Sequence, residues 1–361
     1  MKTVERKAAG SKLELAADEV VAVGVDVDKR RFHVAVWSLT RGLIADWVQS
    51  ASPTTLLAKL APIAGQIVVL AYEAGPTGFG LARAARAAGM AVIVAAPARI
   101  PAERGRQAKT DRLDCIKLAQ LAALGLLKHK GSCIPSEQEE ADRAIGRLRE
   151  QLTRKARRVK QQIKSYLLFH GWEEPQGLKN WTRKSVQALR ELPVGVELRF
   201  CLDQLLDELE FLGAKLAALT ARLKELAQGD RHREPVERMM ARPGVGLITA
   251  MTMRLELIQP ERLKHSGQAA RLAGLAPGVS QSGNTRRGGP ILKSGNGRIR
   301  AVMVEAAWRA IRYDPDLRKR YLHLCMNTGS AKKAIVAIAR HLTEQLWRLM
   351  VQPAAPAAQA A

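Results

Sequence analysis

From Leu198 to Leu226 the chain places a leucine at alternating intervals of four and three residues, at 198, 202, 205, 209, 212, 216, 219, 223 and 226. That interval returns each leucine to one stripe of an α-helix, so the segment predicts an unbroken helix with a coiled-coil seam. Such a helix runs roughly 43 Å at about 1.5 Å per residue, too long to be wrapped by a small domain. Its stripe needs a partner along its length. One solution is an antiparallel helix of the same chain; the other is a second copy. A candidate partner precedes it: Ile145, Leu148, Leu152, Val159, Ile163 and Tyr166 recur at threes and fours, with one step skipped. That helix is strongly basic, with nine Lys or Arg against two Asp or Glu from Ala141 to Lys164. A break containing Gly and Pro, around 171–196, separates the two. The region 137–230 therefore reads as a helical coiled-coil segment.

The first part of the chain has a different period. VVAVGVDV, RFHVAVWSL and GLIADWVQS read as three successive strands, followed by a helix at TTLLAKLAPIA. IVVLAYE is a strand, GLARAARAAG a helix closed by Gly89, and AVIVAA a strand. A long helix then begins at Thr110 or Asp111 and continues to Leu127. Three strands before the first helix imply an antiparallel meander that goes on to alternate with helices, the order of a ribonuclease-H-type sheet. This places an α/β domain at 20–130, after a flexible stretch at 1–19.

A third, mostly helical domain is expected at 233–350. It contains ARPGVGLITA, a helical LKHSGQAARLAGL, a Gly/Ser/Arg-rich loop, and closing helices AVMVEAAWRAI and AKKAIVAIARHLTEQLWRLM. The tail at 351–361 is low-complexity and expected to be disordered.

The 361 residues carry 58 Lys or Arg and 34 Asp or Glu, a formal charge of +24. With 47% hydrophobic residues this is a folded chain with an acid deficit, and such a field selects a polyanionic partner, nucleic acid first. From Arg262 to Val304 there are eight Lys or Arg and no acid. RPGVG (Arg242–Gly246) reads either as a tight turn or as a phosphate seat at a helix start. Aromatics are 4%, which excludes base stacking on aromatic rings as a leading mode of recognition. Four isolated cysteines without a CxxC pair exclude a zinc ribbon and a disulfide framework, and predict a reducing, cytoplasmic setting. No apolar run reaches membrane-spanning length and no secretion signal is evident. The seven histidines are scattered and read as structural or surface groups.

Acids mark the ends of predicted elements. Asp26 ends the first strand, Glu73 ends a later one, and Asp111 and Asp114 lie three apart on one face at a helix start. Singly, each has an ordinary explanation as a strand end, a cap or a surface group. Converging, four carboxylates need a counter-cation, and hard oxygen donors select Mg²⁺ or Mn²⁺. Two such ions about 3.5–4 Å apart clamp a scissile phosphate.

The order GVD, YEAGPTG, KTDRLD resembles the DEDD-type insertion-sequence transposases, the insertion sequence one-ten family. PGVG, GLAP, QSG, RRGG and KSGNGRIR resemble that family's second domain, so the likeness spans roughly 20–350. It implies a RuvC-like amino-terminal domain in which Asp26, Glu73, Asp111 and Asp114 match the metal-binding acids. An acid, Asp28, stands where a small residue is expected, and Asp26 fits the motif better because it follows GV directly. The resemblance also implies a serine nucleophile and, in relatives, a structured bridge RNA that selects donor and target DNA. Pairing of the leucine seam with a second copy predicts a homo-oligomer, dimer or tetramer.

Ser280, Ser282 and Ser294 are available in the loop; Ser282 occupies the QSG position. Beside it Arg286 and Arg287 are suited to the non-bridging oxygens of a phosphate. Lys293, Arg298, Arg300, Arg154, Lys155, Arg157 and Arg158 complete the expected nucleic-acid contacts. The leading expectation is a DNA transposase or recombinase that cuts and rejoins strands. A RuvC-like Holliday-junction nuclease using water leaves the third domain unused. An actin-like sugar kinase lacks its second glycine-rich phosphate strand, and a decayed nucleic-acid-binding protein would not keep all four acids.

Overall fold

The computed structural model describes residues 13, 15–101, 110–129, 131–282 and 285–352, without the side chains of 98, 279–282 and 285–288. The expected flexible start and disordered tail fall largely outside these residues. The chain forms two compact units, Met1–Ser136 and Glu137–Ala361.

In the first unit, β1 (Val21–Val27), β2 (Arg31–Ser38) and β3 (Gly42–Ser50) make the antiparallel meander. There follow α1 (Pro53–Leu60), β4 (Ile67–Glu73), α2 (Gly80–Ala87), β5 (Val92–Ala95) and α3 (Asp111–Ala123). The sheet order is β3-β2-β1-β4-β5, with β4 parallel to both β1 and β5. This is the strand order and direction of a ribonuclease-H-like sheet.

Strand parity divides the sheet's two faces. Val21, Val23 and Val25 of β1, Phe32 and Val34 of β2, and Leu70 and Tyr72 of β4 share a core with Leu56 and Leu60 of α1 and Leu81 and Ala85 of α2. The alternate residues are small. Ala22 and Ala71 pack with Leu118 and Ala122 of α3, and Ala35 packs with Cys115 and Ala119. Gly24 lets α3 settle onto the backbone: a Cβ there would lie 2.2 Å from the Cys115 carbonyl oxygen and 2.4 Å from the Ala119 nitrogen. The helix is capped by Thr110, whose hydroxyl accepts from the Leu113 N–H, and pinned to β3 by Arg112, whose Nε lies 2.6 Å from Asp46 Oδ2.

The second unit begins with α4 (Glu137–Phe169), α5 (Arg183–Arg190) and α6 (Val196–Gln228). Tyr166 donates to the Leu198 carbonyl (3.1 Å) and Arg149 to the Thr220 hydroxyl (2.8 Å), so α4 and α6 run antiparallel. Val159, Ile163 and Leu167 of α4 meet Leu202, Leu206 and Leu212 of α6. Leu205, Leu209 and Leu216 are only partly covered by the same cluster. The leucine stripe is thus partnered within the chain along one edge. On another side of α6, Val196, Phe200 and Phe211 are exposed.

Beyond the hairpin lie α7 (Arg233–Met240), α8 (Leu247–Leu257), α9 (Ser266–Leu272), β6 (Pro277–Ser282), β7 (Thr285–Ile291), α10 (Gly297–Tyr313), α11 (Pro315–Thr328) and α12 (Ala331–Val351). Met239, Ala250, Met253, Ala269, Met303, Ala307, Ile338 and Leu342 are among their common core. The RPGVG segment joins α7 to α8 as a packing turn. Gly244 has φ +81°, and a Cβ there would lie 2.5 Å from the Ala310 nitrogen of α10.

Four segments depart from expectation: α5 forms inside the expected break at 171–196, α7 precedes the RPGVG turn, and two more lie further along the chain. The Gly/Ser/Arg-rich stretch contains an antiparallel hairpin, β6–β7, with Ser282 opposite Thr285. Its signal is the two-residue Gly-Asn spacer, which its abundant Gly and Arg obscure. Helix α11 was also unassigned, although its punctuation is complete: Asp314 caps it by accepting from the Leu317 N–H, Pro315 sits at the first position, and Gly329 closes it at φ +60°.

Candidate functional site

Parity sends Asp26, two residues beyond Gly24, to the face that α3 covers, and sends Glu73, two beyond Ala71, to the same face on the neighbouring strand. His33 pairs with Asp26 across the β1–β2 ladder and shares the face of Ala35. Because Cys115 and Ala119 sit over Gly24, the first turn of α3 carries Asp111 and Asp114 toward the same end of the sheet. Burial pushes the Asp26 carboxyl above the usual range, the carboxylates of Asp111, Asp114 and Glu73 push it further, and His33 opposes them. The Nε2 of His33 lies 3.6 Å from Asp111 Oδ2, so this histidine belongs to the acid group rather than to the scattered surface set. Strand register is the signal that finds it.

Asp28 stands apart. It is exposed in the turn after β1, and its carboxylate accepts from the Arg30 N–H at 3.2 Å, which with the Lys29 N–H holds it below its ordinary range.

The donor set, all carboxylate oxygen plus one imidazole, fits a hard divalent cation, and a cation here would relieve the repulsion that raises Asp26. Among the described residues no three His, Cys, Asp or Glu side chains close to metal-holding distance.

In the second unit, Ser282 ends β6, and its side chain and those of Ser280, Arg286 and Arg287 lie outside the described residues. The base of the hairpin is firmly tied. The Leu292 N–H donates to the Ala276 carbonyl (2.8 Å) and the Asn296 N–H to the Leu272 carbonyl (2.5 Å). Lys293 and Ser294 are exposed between the hairpin and α10. Arg300 reaches back to the carbonyls of Ala273 and Lys293, each at 3.4 Å, so part of its capacity is structural.

A buried acid missed by sequence reasoning, Glu256 of α8, organises the next layer. Arg147 grips it through two hydrogen bonds, 2.7 and 2.8 Å, and the Asn296 amide donates to it at 2.8 Å. Burial pushes the Glu256 carboxyl up, but Arg147 and Asn296 outweigh it and hold the group below its ordinary range. Nothing in its local sequence marks it; α4, α8 and the start of α10 must be assembled first. Arg298 lies with Nε 2.6 Å from Glu150 Oε2, and Arg154 also pairs with Glu150. Lys155, Arg157 and Arg158 are exposed along α4.

Two family models match the chain. One, described as a transposase model, covers residues 23–171, and the model of the Transposase IS116/IS110/IS902 family covers 236–322. The transposase-type protein y4qE of Sinorhizobium fredii is 31% identical over 336 residues, covering 91% of this chain and 81% of its own. The chain belongs to the IS116/IS110/IS902 transposase family.

The transposase for insertion sequence element IS1533 of Leptospira borgpetersenii is 28% identical across 66% of this chain and 69% of that one. Among solved structures, a chain of T. thermophilus RuvC in complex with a Holliday junction substrate aligns with 31% of this transposase and 98% of its own length, at 13% identity and a TM-score of 0.22. No helix among the described residues is long and apolar enough to cross a membrane.

Proposed function

We propose that this transposase cuts and rejoins DNA strands with a divalent cation, Mg²⁺ or Mn²⁺, held by Asp26, Glu73, Asp111 and Asp114, and with Ser282 as nucleophile. The observation that carries the reading is the placement of four carboxylates at one end of the sheet, Asp26 and Glu73 near the ends of β1 and β4 and Asp111 and Asp114 in the first turn of the helix that Gly24 admits. A fold keeps like charges together where function requires it. When bound, the cation would neutralise these acids and draw charge from a scissile phosphate. The chain's own residues do the rest. His33 orients Asp111, and Arg112 with Asp46 fixes the start of α3 on which Asp111 and Asp114 stand.

The Ser282 hydroxyl attacks phosphorus, its proton passes to a base, and the departing sugar oxygen leaves as an alcohol. The serine–phosphate ester conserves the energy of the broken phosphodiester bond for rejoining, so no nucleotide cofactor is consumed. Arg286 and Arg287 bind the non-bridging oxygens, and Lys293, Arg298, Arg300 and the α4 cations Arg154, Lys155, Arg157 and Arg158 neutralise flanking phosphates. The family resemblance adds a structured guide RNA as partner, and the isolated cysteines a reducing, cytoplasmic setting. The exposed Phe200 and Phe211, eleven residues and three helical turns apart on α6, support a homo-oligomer, dimer or tetramer.

The test incubates the protein with labelled target DNA and guide RNA under denaturing electrophoresis. Ser282→Ala binds DNA nearly normally and forms no covalent adduct, whereas Ser280→Ala and Ser294→Ala retain it. Asp26→Ala, Glu73→Ala, Asp111→Ala and Asp114→Ala each lose strand exchange but keep binding. Recombination without an adduct in any variant replaces serine by water and turns the reading to a RuvC-like nuclease.

A further inference from the structure

A cleft of about 950 Å³ opens in the second unit between α4, α8 and the first turns of α10. Its size falls within the roughly 300–1,000 Å³ of small-molecule sites, so it is larger than a packing defect. Six arginines line it against three glutamates. The balance is cationic, and the cations are unevenly satisfied. Arg154 and Arg298 share the single carboxylate of Glu150. Arg149 donates its Nε to a neutral partner, the Thr220 hydroxyl, and burial pushes its pKa down, as a guanidinium that lacks a counter-anion requires. Arg157 is exposed at the edge.

The remainder of the lining differs in kind. Leu223, Ile248 and Val302 give an aliphatic floor, and Thr249 and Thr252 add hydroxyls to it. A duplex backbone has no use for such a floor, because it presents phosphates on a convex surface and keeps its bases stacked inside. A single strand can turn one base out and bury it. The ligand that matches both halves is an anion joined to a flat, partly apolar, hydrogen-bonding body.

We propose that this cleft seats one turned-out nucleotide of a single-stranded segment, its phosphate on Arg149, Arg154 and Arg157 and its base on the floor formed by Ile248, Thr252 and Val302. Glu150 is the anion that holds Arg154 and Arg298 when no strand is present, and the incoming phosphate takes over part of that pairing. Among the described residues no aromatic side chain lines the cleft, so the base lies against aliphatic groups and guanidinium planes. This inference rests on the nucleic-acid reading above and adds where, and in what form, a strand is gripped.

The test uses the full chain and three labelled probes: a short single strand, the same strand with abasic sugars, and the duplex. Wild type binds the intact strand about tenfold more tightly than the abasic one, the effect of taking roughly 55 Å² of base surface out of water. Thr252→Trp fills the floor, brings the intact strand down to the abasic level and leaves the abasic affinity unchanged. Arg157→Gln weakens both strands and lowers the salt slope by about one. Glu150→Gln, which removes the competing anion, tightens both. Equal wild-type affinity for intact and abasic strands overturns the proposal without any variant, as does a folded Thr252→Trp protein that still tells them apart. Equal binding of all three probes refutes the cleft while leaving nucleic-acid binding standing; failure to bind any of them removes the functional reading itself.

Discussion

Replacing Gly24 by alanine tests the link between sheet packing and the acid cluster. The new Cβ would meet the Cys115 carbonyl oxygen at 2.2 Å, the Ala119 nitrogen at 2.4 Å and the Ala119 Cα at 2.9 Å. All three are backbone atoms of α3, so no rotamer change relieves the clash. To bring the closest approach to an ordinary 3.4 Å, α3 must withdraw from β1 by about 1.2 Å. Overpacking of this kind costs about 1–3 kcal/mol, which for a unit of this size lowers the melting temperature by roughly 3–12 °C. If the four acids hold the cation as proposed, the cost in rate is the larger one. Asp111 and Asp114 ride on α3 while Asp26 and Glu73 stay with the sheet, and a misplacement of about 1 Å costs on the order of a hundredfold in rate. The assay pairs differential scanning calorimetry with strand exchange, using Gly65→Ala as control, since a Cβ at Gly65 meets nothing within 4 Å. A Gly24→Ala protein that melts with wild type and recombines at full rate would falsify the packing argument and the convergence built on it.

Asp26→Asn is expected to raise the melting temperature at neutral pH. A carboxyl pushed up by burial and neighbouring acids is favourable to folding below the ordinary carboxylate range, and that contribution is lost as pH rises through its folded value. The variant's advantage should therefore vanish on acidification, and an advantage constant with pH refutes the assignment. Glu256→Ala should destabilise the second unit by about 1–3 kcal/mol, because the buried hydrogen bonds from Arg147 and Asn296 are lost while the partly exposed Arg147 regains water. Glu256 is held low, so its contribution is present above the ordinary carboxylate range and disappears as pH falls through the folded value; denaturant melts at neutral and acidic pH check both points. Phe200→Lys combined with Phe211→Lys should reduce the light-scattering mass to that of one chain while leaving the helical spectrum intact, and an unchanged mass removes this face from the interface.

Much of the architecture was legible in the order of residues. Alternating Val and small residues in VAVGVDV and the short apolar run IVVLAYE set strand identity, and the leucine interval set α6, because both are local consequences of backbone period. For the same reason the sequence put Asp26 and Glu73 near strand ends and Asp111 and Asp114 at a helix start, where they stand. Tertiary structure decided what local period cannot carry. Cross-strand register brought His33 to Asp26 and left Asp28 in a turn. The close approach of α3 over Gly24 set the helix acids Asp111 and Asp114 at the Asp26 end of the sheet. The choice of α4 as partner for α6 depended on chain reversal through 171–196, and the Glu256–Arg147–Asn296 knot on three helices meeting. Each is a contact between segments far apart in sequence, where free energy depends on which surfaces meet and how much water they exclude, and no single segment holds that information.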